Sequence, residues 1–275
     1  MGRMGKGRVN SGNAVSAVEA ARDSGRREAD EAVAERSGQP ALQDSTGESI
    51  NVHVLVPAKD QVHAWFSYSL ALAIGYIGKQ HPYVDLNLLL NNGTVLSTQR
   101  MELAKLALLG GADWTIWFDT DMRFPVNTIE RLLAHNKPIV MAGYPTRKPP
   151  AIEPTQYADD ETTIRVYTEK DSTGLQEIAS GGFGCVAVHR SVFEAMPPPW
   201  FHIPWHEDEM KFECGEDIYF CRKARESGFK IYLDHDLSKE IAHIGQYEFT
   251  YREALAVRPQ IEQLRAQRIK INGLT

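Results

Sequence analysis

The chain has 275 residues and a formal net charge of −6 at pH 7, with 43% hydrophobic and 24% charged residues. The acidic balance gives no general sign of nucleic-acid binding, and no apolar run is long enough to span a membrane. The three cysteines are an odd number without scaffold spacing, which argues against a disulfide framework. The N-terminus has no apolar core of a secretory signal, so we expect a cytoplasmic protein.

Residues 1–49 differ in composition from the rest of the chain. They are rich in Gly, Ser, Ala, Arg and Glu and contain almost no large apolar residues. Such a segment buries too little apolar surface to offset the entropy lost on ordering. We predict a disordered or partly helical N-terminal tail, with residues 15–36 as the part whose Ala, Glu and Arg favour a helix.

Strands and helices alternate from Ile50 to about Ala142. This alternation predicts a mostly parallel α/β sheet with helices on its faces, within a domain that spans residues 50–250. We predict strands at Asn51–Val56, Asp85–Leu90, Trp114–Phe118 and Pro138–Ala142, and helices at Trp65–Ile77, Thr98–Leu109 and Val126–His135.

The pattern changes in the C-terminal half, from about Gly143. Short alternating runs predict a small antiparallel part, a long polar and aromatic loop spans Trp200–Cys214, and residues 251–275 form a C-terminal helix. We predict strands at Ile164–Thr168, Leu175–Ile178, Cys185–His189, Lys230–Leu233 and Ile241–Gly245, and helices at Ser191–Met196, Glu216–Ser227 and Arg252–Lys270.

Two carboxylates follow the apolar run Trp114–Phe118. Asp119 and Asp121 are two residues apart, so in a strand they share one face at its carboxyl end. In open α/β sheets ligands bind at that edge. Adjacent carboxylates repel each other unless a cation or a proton compensates them, and a hard divalent metal that also carries phosphate oxygens does so. The alternative is a strand-end turn in which Asp is a capping residue.

Three further features follow in order along the chain. Gly181 and Gly182 let the backbone approach a ligand or form a tight turn. Glu216 and Asp217 open a predicted helix, where acidic residues are also favoured by capping and by the helix dipole. His243 lies in an apolar strand, either as a core histidine or as a neutral metal ligand.

The ordered set of these motifs resembles the GT-A class of nucleotide-sugar glycosyltransferases. The resemblance covers roughly residues 51–247 and is closest to small, family-2-like enzymes of the kind that phages encode. Arg100, on the helix before the Asp-x-Asp strand, adds to it, as does the segment from Tyr144 to Pro150. The resemblance implies a GT-A, Rossmann-like fold and, if a phage encodes the chain, a place in the host cytoplasm.

The resemblance also implies roles for individual residues. A metal, Mn²⁺ or Mg²⁺, would be bound by Asp119, Asp121 and His243, and Asp217 would be the catalytic base with Glu216 in support. Donor-binding and acceptor-binding residues complete the set. The donor site would use Val56, Pro57, Arg100, Asp119, Gly181 and Gly182, and the acceptor site Trp200, Trp205 and His206.

The implied reaction moves a hexose or pentose from a nucleoside-diphosphate sugar to an acceptor hydroxyl. With Asp217 as the base, the anomeric centre is inverted; in a retaining enzyme, the alternative that stays open, the same carboxylate has a binding role. A modified DNA base and a protein are the candidate acceptors, because the chain has local basic residues but no membrane span. Two other functions stay open: a nucleotidyltransferase, and a non-catalytic sugar- or nucleotide-binding module. A zinc site at Cys214, Cys221, His206 and His235 is disfavoured by the wide spacing of its cysteines.

Overall fold

The protein is described from a computed structural model, which covers residues 49–149, 151–159, 164–245 and 248–272. The predicted N-terminal tail, up to residue 48, lies outside these ranges, as do residues 273–275 of the predicted C-terminal helix. Within the described ranges, most of the predicted helices and strands are present, with boundaries that differ by a few residues, and several short elements are added.

Twelve strands are formed by the described residues. Several have the β-branched and aromatic composition that favours a pleated, half-buried surface. Their bounds are β1 Ile50–Ala58, β2 Val84–Asn92, β3 Trp114–Phe118, β4 Met122–Arg123, β5 Ile139–Ala142, β6 Leu175–Ile178, β7 Cys185–His189, β8 Trp205–His206, β9 Lys211–Phe212, β10 Ile231–Asp234, β11 Ala242–Ile244 and β12 Glu248–Phe249.

Seven helices occur in the described ranges. They are α1 Ala64–Gln80, α2 Leu96–Leu109, α3 Thr128–Ala134, α4 Arg190–Ala195, α5 Glu216–Glu226, α6 His235–Ser238 and α7 Tyr251–Asn272. None of these helices combines the length and the apolar character that a membrane crossing requires.

Seven strands form the central sheet in the order β2-β1-β3-β7-β5-β10-β6. Strands β1, β2 and β3 are parallel, as are β5 and β10, whereas β7 runs antiparallel between β3 and β5 and β6 is antiparallel to β10. Five strands therefore point the same way, which confirms the expected mostly parallel α/β fold. The carboxyl ends of β1, β3 and β5 and the start of β7 share one edge.

Two apolar clusters cover the two faces of this sheet. One contains alternate β1 residues with Phe66 of α1 and Ile129 of α3. The other contains Leu55 of β1 with Leu103 of α2 and Phe220 of α5. The side chains of a strand alternate between faces, so one strand feeds both clusters. This three-layer packing fixes the sheet edge against which α2 and α5 present polar side chains.

Smaller sheets accompany the main one. Strands β12, β11 and β4 form an antiparallel sheet, and β8 pairs with β9 inside the loop predicted at Trp200–Cys214. The strand predicted at Ile164–Thr168 is wrong, because Arg165 makes only an isolated bridge with Tyr157. Sequence alternation favours a strand there, but no neighbouring strand supplies a ladder of hydrogen bonds.

Candidate active site

A buried arginine joins two separate parts of the chain at the sheet edge. Arg100, on α2, donates from one terminal nitrogen to Asp119 Oδ1 (2.8 Å) and from the other to Glu216 Oε1 (2.7 Å). Its side chain is 2% exposed and its guanidinium lies 5.2 Å from the centre of the Phe183 ring. Burial opposes its charge, but the two carboxylates outweigh burial and raise the pKa of Arg100 above its ordinary value. The Asp-x-Asp strand end and the start of α5 therefore face one site.

Asp217 follows Glu216 on the first turn of α5. Its Oδ1 accepts a hydrogen bond from the backbone nitrogen of Ile218 at 2.8 Å. Burial, and next the charge of Glu216, raise the pKa of Asp217 to about 6, although Arg100 acts in the opposite direction. A carboxyl group that titrates close to neutrality suits general base catalysis.

The second carboxylate of the Asp-x-Asp motif has different partners. Asp121 Oδ2 lies 2.7 Å from a terminal nitrogen of Arg147 and 3.5 Å from His243 Nε2. Partial burial alone would raise the pKa of Asp121, but the contact with His243 and the charges of His243 and Arg147 hold it below its ordinary value. Strand β11 carries His243 and pairs with β4, which immediately follows Asp121, so the small sheet brings the two side chains together.

Asp121 and His243 fit as two ligands of one divalent cation. His243 Nδ1 lies 2.9 Å from the carbonyl oxygen of Pro145 and donates to it, so Nε2, on the side of Asp121, is the nitrogen that would bind a metal once its own proton is lost. In the described ranges no three His, Cys, Asp or Glu side chains converge on one point, since Asp119 Oδ1 is bonded to Arg100. Oxygen atoms of a bound diphosphate would have to complete the coordination shell.

Tyr144 lies between the two groups of carboxylates, and no role was predicted for it. Its hydroxyl accepts a hydrogen bond from the backbone nitrogen of Gly184 at 3.0 Å, and its ring meets that of His243 edge-on at 5.1 Å. Burial, and next the charges of Asp119 and Asp217, raise the pKa of Tyr144 well above its ordinary value. Tyr144 follows β5 at the sheet edge where Asp119 lies, and this position in the sequence could have indicated that it belongs to the site.

The glycine-rich segment makes room for Tyr144 rather than for a sugar. A Cβ atom on Gly182 would collide with the Tyr144 hydroxyl, and one on Gly184 would lie 2.8 Å from its ring. A Cβ on Gly181 would lie 2.5 Å from the sulfur of Met141. Gly181 and Gly182 are both buried. We therefore remove them from the donor-binding surface and assign them to packing behind the site.

Three other predicted contacts are also core residues. Val56 is fully buried in the core and Pro57, beside it, is buried too, so neither side chain is exposed to a ligand in this structure. Trp200 is buried, and its indole nitrogen donates to the carbonyl oxygens of Phe193 and Met196. Because its polar atom is satisfied inside the protein, Trp200 is not an acceptor-binding residue in this structure.

Trp205 and His206 have a different environment, since both lie on the β8–β9 hairpin. Trp205 is 51% exposed and meets Phe212 edge-on at 5.1 Å. His206 Nδ1 accepts from the backbone nitrogen of Glu209 at 3.3 Å. These two predicted acceptor residues remain accessible to a ligand.

Comparisons with known proteins find similarity among solved structures alone. No protein-family model matches the chain, and no curated protein matches it. Solved structures that are similar include A197 from STIV (15% identity, TM-score 0.47, 71% of this chain and 86% of that one) and S. aureus TarS 1–349 (13%, 0.39, 68% and 58%). Another is a glycosyltransferase involved in the glycosylation of the major capsid of PBCV-1 (11%, 0.29, 52% and 62%). This chain thus spans less than two thirds of the length of the last two proteins. Similarities of this size do not assign a function.

Proposed function

We propose that this protein is a glycosyltransferase that moves a hexose or pentose from a nucleoside-diphosphate sugar to an acceptor hydroxyl. The observation that carries the proposal is the Arg100 bridge between Asp119 and Glu216. This bridge brings the Asp-x-Asp strand end, which suits a cation and phosphates, next to Asp217, whose pKa is raised to about 6.

The donor side of the site would hold Mn²⁺ or Mg²⁺ on Asp121 and His243, and Mn²⁺ accepts the imidazole nitrogen better. When bound, this cation supplies Lewis-acid stabilisation of the negative charge that grows on the departing diphosphate. Arg147 is the exposed cation on this side: its side chain is 38% exposed, reaches Asp121 from a loop and also donates to the carbonyl oxygen of Ile244. We assign it to the diphosphate once the metal takes its place beside Asp121.

The acceptor side would use Asp217 as the general base that takes the proton of the attacking hydroxyl. Such a base predicts inversion of the anomeric centre. Glu216 is held by Arg100 at 2.7 Å, so we assign it to positioning rather than to proton transfer. Asp119, bonded to the same guanidinium, holds the strand end in place and leaves Asp121 as the firmer metal ligand.

The experiment is a binding and turnover assay with a panel of nucleotide sugars, with and without Mn²⁺. We expect at least one donor to bind in a metal-dependent way and to be slowly hydrolysed without an acceptor. Asp121→Ala should abolish metal-dependent binding, whereas Asp171→Ala, which removes an exposed loop carboxylate, should not change it. Absence of binding for every donor with every divalent metal, or unchanged binding by Asp121→Ala, would contradict the proposal.

A further inference from the structure

The β8–β9 hairpin exposes three large apolar side chains beside the site. In this hairpin, defined as residues 204–213, Trp205, Met210 and Phe212 are 51%, 78% and 65% exposed. Isolated two-stranded hairpins are marginal in water, and clustered exposed apolar side chains mark interaction surfaces more often than chance. The two rings, packed edge-on at 5.1 Å, keep a shared apolar surface open to a ligand.

Chain geometry places this hairpin within reach of Asp217. The backbone nitrogen of Glu213 donates to the carbonyl oxygen of Pro204 at 2.9 Å, which closes the base of the hairpin. Asp217 follows Glu213 by four positions, so their Cα atoms are at most about 14 Å apart. A polymer of a few residues with its hydroxyl at Asp217 is therefore long enough to reach the hairpin.

The hairpin and its connection to α5 are strongly acidic. Residues 200–217 contain six carboxylates and one lysine. Glu209 is paired with Lys211 and Glu213 with Arg222, whereas the described structure gives the exposed side chains of Glu207 and Asp208 no ion pair. This surface repels a polyanion and attracts a cation, most strongly at low salt.

Three basic residues of this region are already engaged in contacts within the protein. Arg222 is bonded to Glu213, Lys223 donates to the carbonyl oxygens of Pro197 and Pro199, and Arg147 is paired with Asp121. A DNA acceptor would need free cations along a channel to neutralise its phosphates. The charge pattern therefore disfavours the nucleic-acid acceptor among the two candidates.

We infer that the hairpin docks a lysine- or arginine-rich polypeptide segment, whose hydroxyl side chain is the sugar acceptor. This inference rests on the proposed function for the transfer step. Basic side chains of the segment pair with Glu207 and Asp208, and their cations also stack on Trp205 and Phe212. The hydroxyl oxygen forms the new bond to the anomeric carbon and its proton passes to Asp217, while the bond to the diphosphate breaks and the diphosphate leaves with the electron pair.

Peptide binding in the absence of any donor tests the docking step alone. The probes are a short lysine-rich peptide with one central Ser, the same peptide with every Lys replaced by Gln, a single-stranded DNA oligonucleotide and a neutral oligosaccharide. We expect the lysine-rich peptide to bind best and its affinity to fall as salt rises. Equal or tighter binding of the Gln peptide, the DNA or the oligosaccharide overturns the inference.

Charge reversal identifies the surface. Glu207→Lys/Asp208→Lys should weaken binding of the lysine-rich peptide about tenfold at low salt, and Trp205→Ala should weaken it separately. The control Glu177→Lys/Glu194→Lys changes the net charge equally at exposed positions elsewhere and should leave affinity unchanged. Equal effects of both double variants overturn the inference. Peptide binding without turnover of any donor would instead refute the proposed function and leave the docking surface standing.

Discussion

Replacement of Arg100 by Met removes the one cation that joins Asp119 and Glu216. The change keeps most of the side-chain volume but leaves two carboxylates that had been bonded at 2.8 and 2.7 Å without their partner. Loss of one partner of a buried ion pair costs about 3–5 kcal/mol. Since the Asp119 side chain is 27% exposed and water can rehydrate it, we expect the lower end, about 3 kcal/mol, or roughly a hundredfold in the folding equilibrium.

Urea unfolding at two pH values measures this loss. At pH 8 we expect a lower free energy of unfolding by about 3 kcal/mol, and a melting temperature lower by about 6–12 °C. Arg100 also lowers the pKa of Asp217, so its removal raises that pKa further above about 6. The folded state tolerates neutral Asp217 better than ionised Asp217, and its stability therefore falls as pH rises through the folded pKa. The cost of Arg100→Met should be smaller at pH 5 than at pH 8.

Arg190→Met is the matched control, because Arg190 pairs with Glu194 on the surface of α4. Exposed pairs of this spacing contribute only about 0.3–0.5 kcal/mol. If Arg100→Met lowers the free energy of unfolding no more than Arg190→Met does, or lowers it equally at pH 5 and pH 8, Arg100 does not have this stabilising role. Metal-dependent donor binding should also weaken in Arg100→Met and persist in the control.

Three further predictions concern the site. Asp217→Asn should abolish transfer and, because it removes a partly buried charge, raise the free energy of unfolding by about 1–3 kcal/mol at pH 8 but not at pH 4, as chemical denaturation would show. Wild-type transfer should fall as pH drops through about 6, and retained transfer by Asp217→Asn would exclude Asp217 as the base. In calorimetric titrations, Arg147→Gln should bind Mn²⁺ more tightly, since the Arg147 guanidinium no longer competes with the metal for the Asp121 carboxylate. The same variant should bind a nucleoside diphosphate more weakly, and weaker Mn²⁺ binding would contradict this prediction. Gly182→Ala should lower the free energy of unfolding by about 1–3 kcal/mol, because the new methyl group pushes Tyr144 aside. Gly75→Ala, whose methyl group meets open space on a helix, should raise it by about 0.5–1 kcal/mol. Equal melting temperatures of the two variants would contradict both expectations.

The sequence predicted the framework of the site because that framework depends on local patterns. The apolar run Trp114–Phe118 has no polar residue that could face water except Thr115, so it forms a buried strand with the predicted bounds. A parallel sheet then places Asp119 at the edge where α2 and α5 also lie. The proximity of Arg100 to both carboxylates requires the fold, because Glu216 is 116 residues away from it.

The loops could not be predicted in the same way, because no periodicity distinguishes their buried side chains from their exposed ones. Trp200 and Trp205 are five residues apart in one aromatic segment, yet the first has its nitrogen bonded to two carbonyl oxygens and the second is half exposed. What decides is the end of α4, which presents the carbonyl oxygens of Phe193 and Met196 to Trp200. The same limit applies to Gly182. This position has no room for a side chain because of Tyr144, which lies 38 residues earlier in the chain.

The two aspartates of the motif also differ in a way that spacing alone does not reveal. Alternation along a strand gives them one face, but each has its own arginine. The partner of Asp119 is buried at 2% exposure, and displacing it would strand a charge in the core at a cost of about 3–5 kcal/mol. The partner of Asp121 is 38% exposed, and pairs with solvent access contribute only about 0–1 kcal/mol. An incoming divalent cation would therefore displace Arg147 and not Arg100, so we propose Asp121 and His243 as the metal ligands, while Asp119 keeps α2, β3 and α5 aligned.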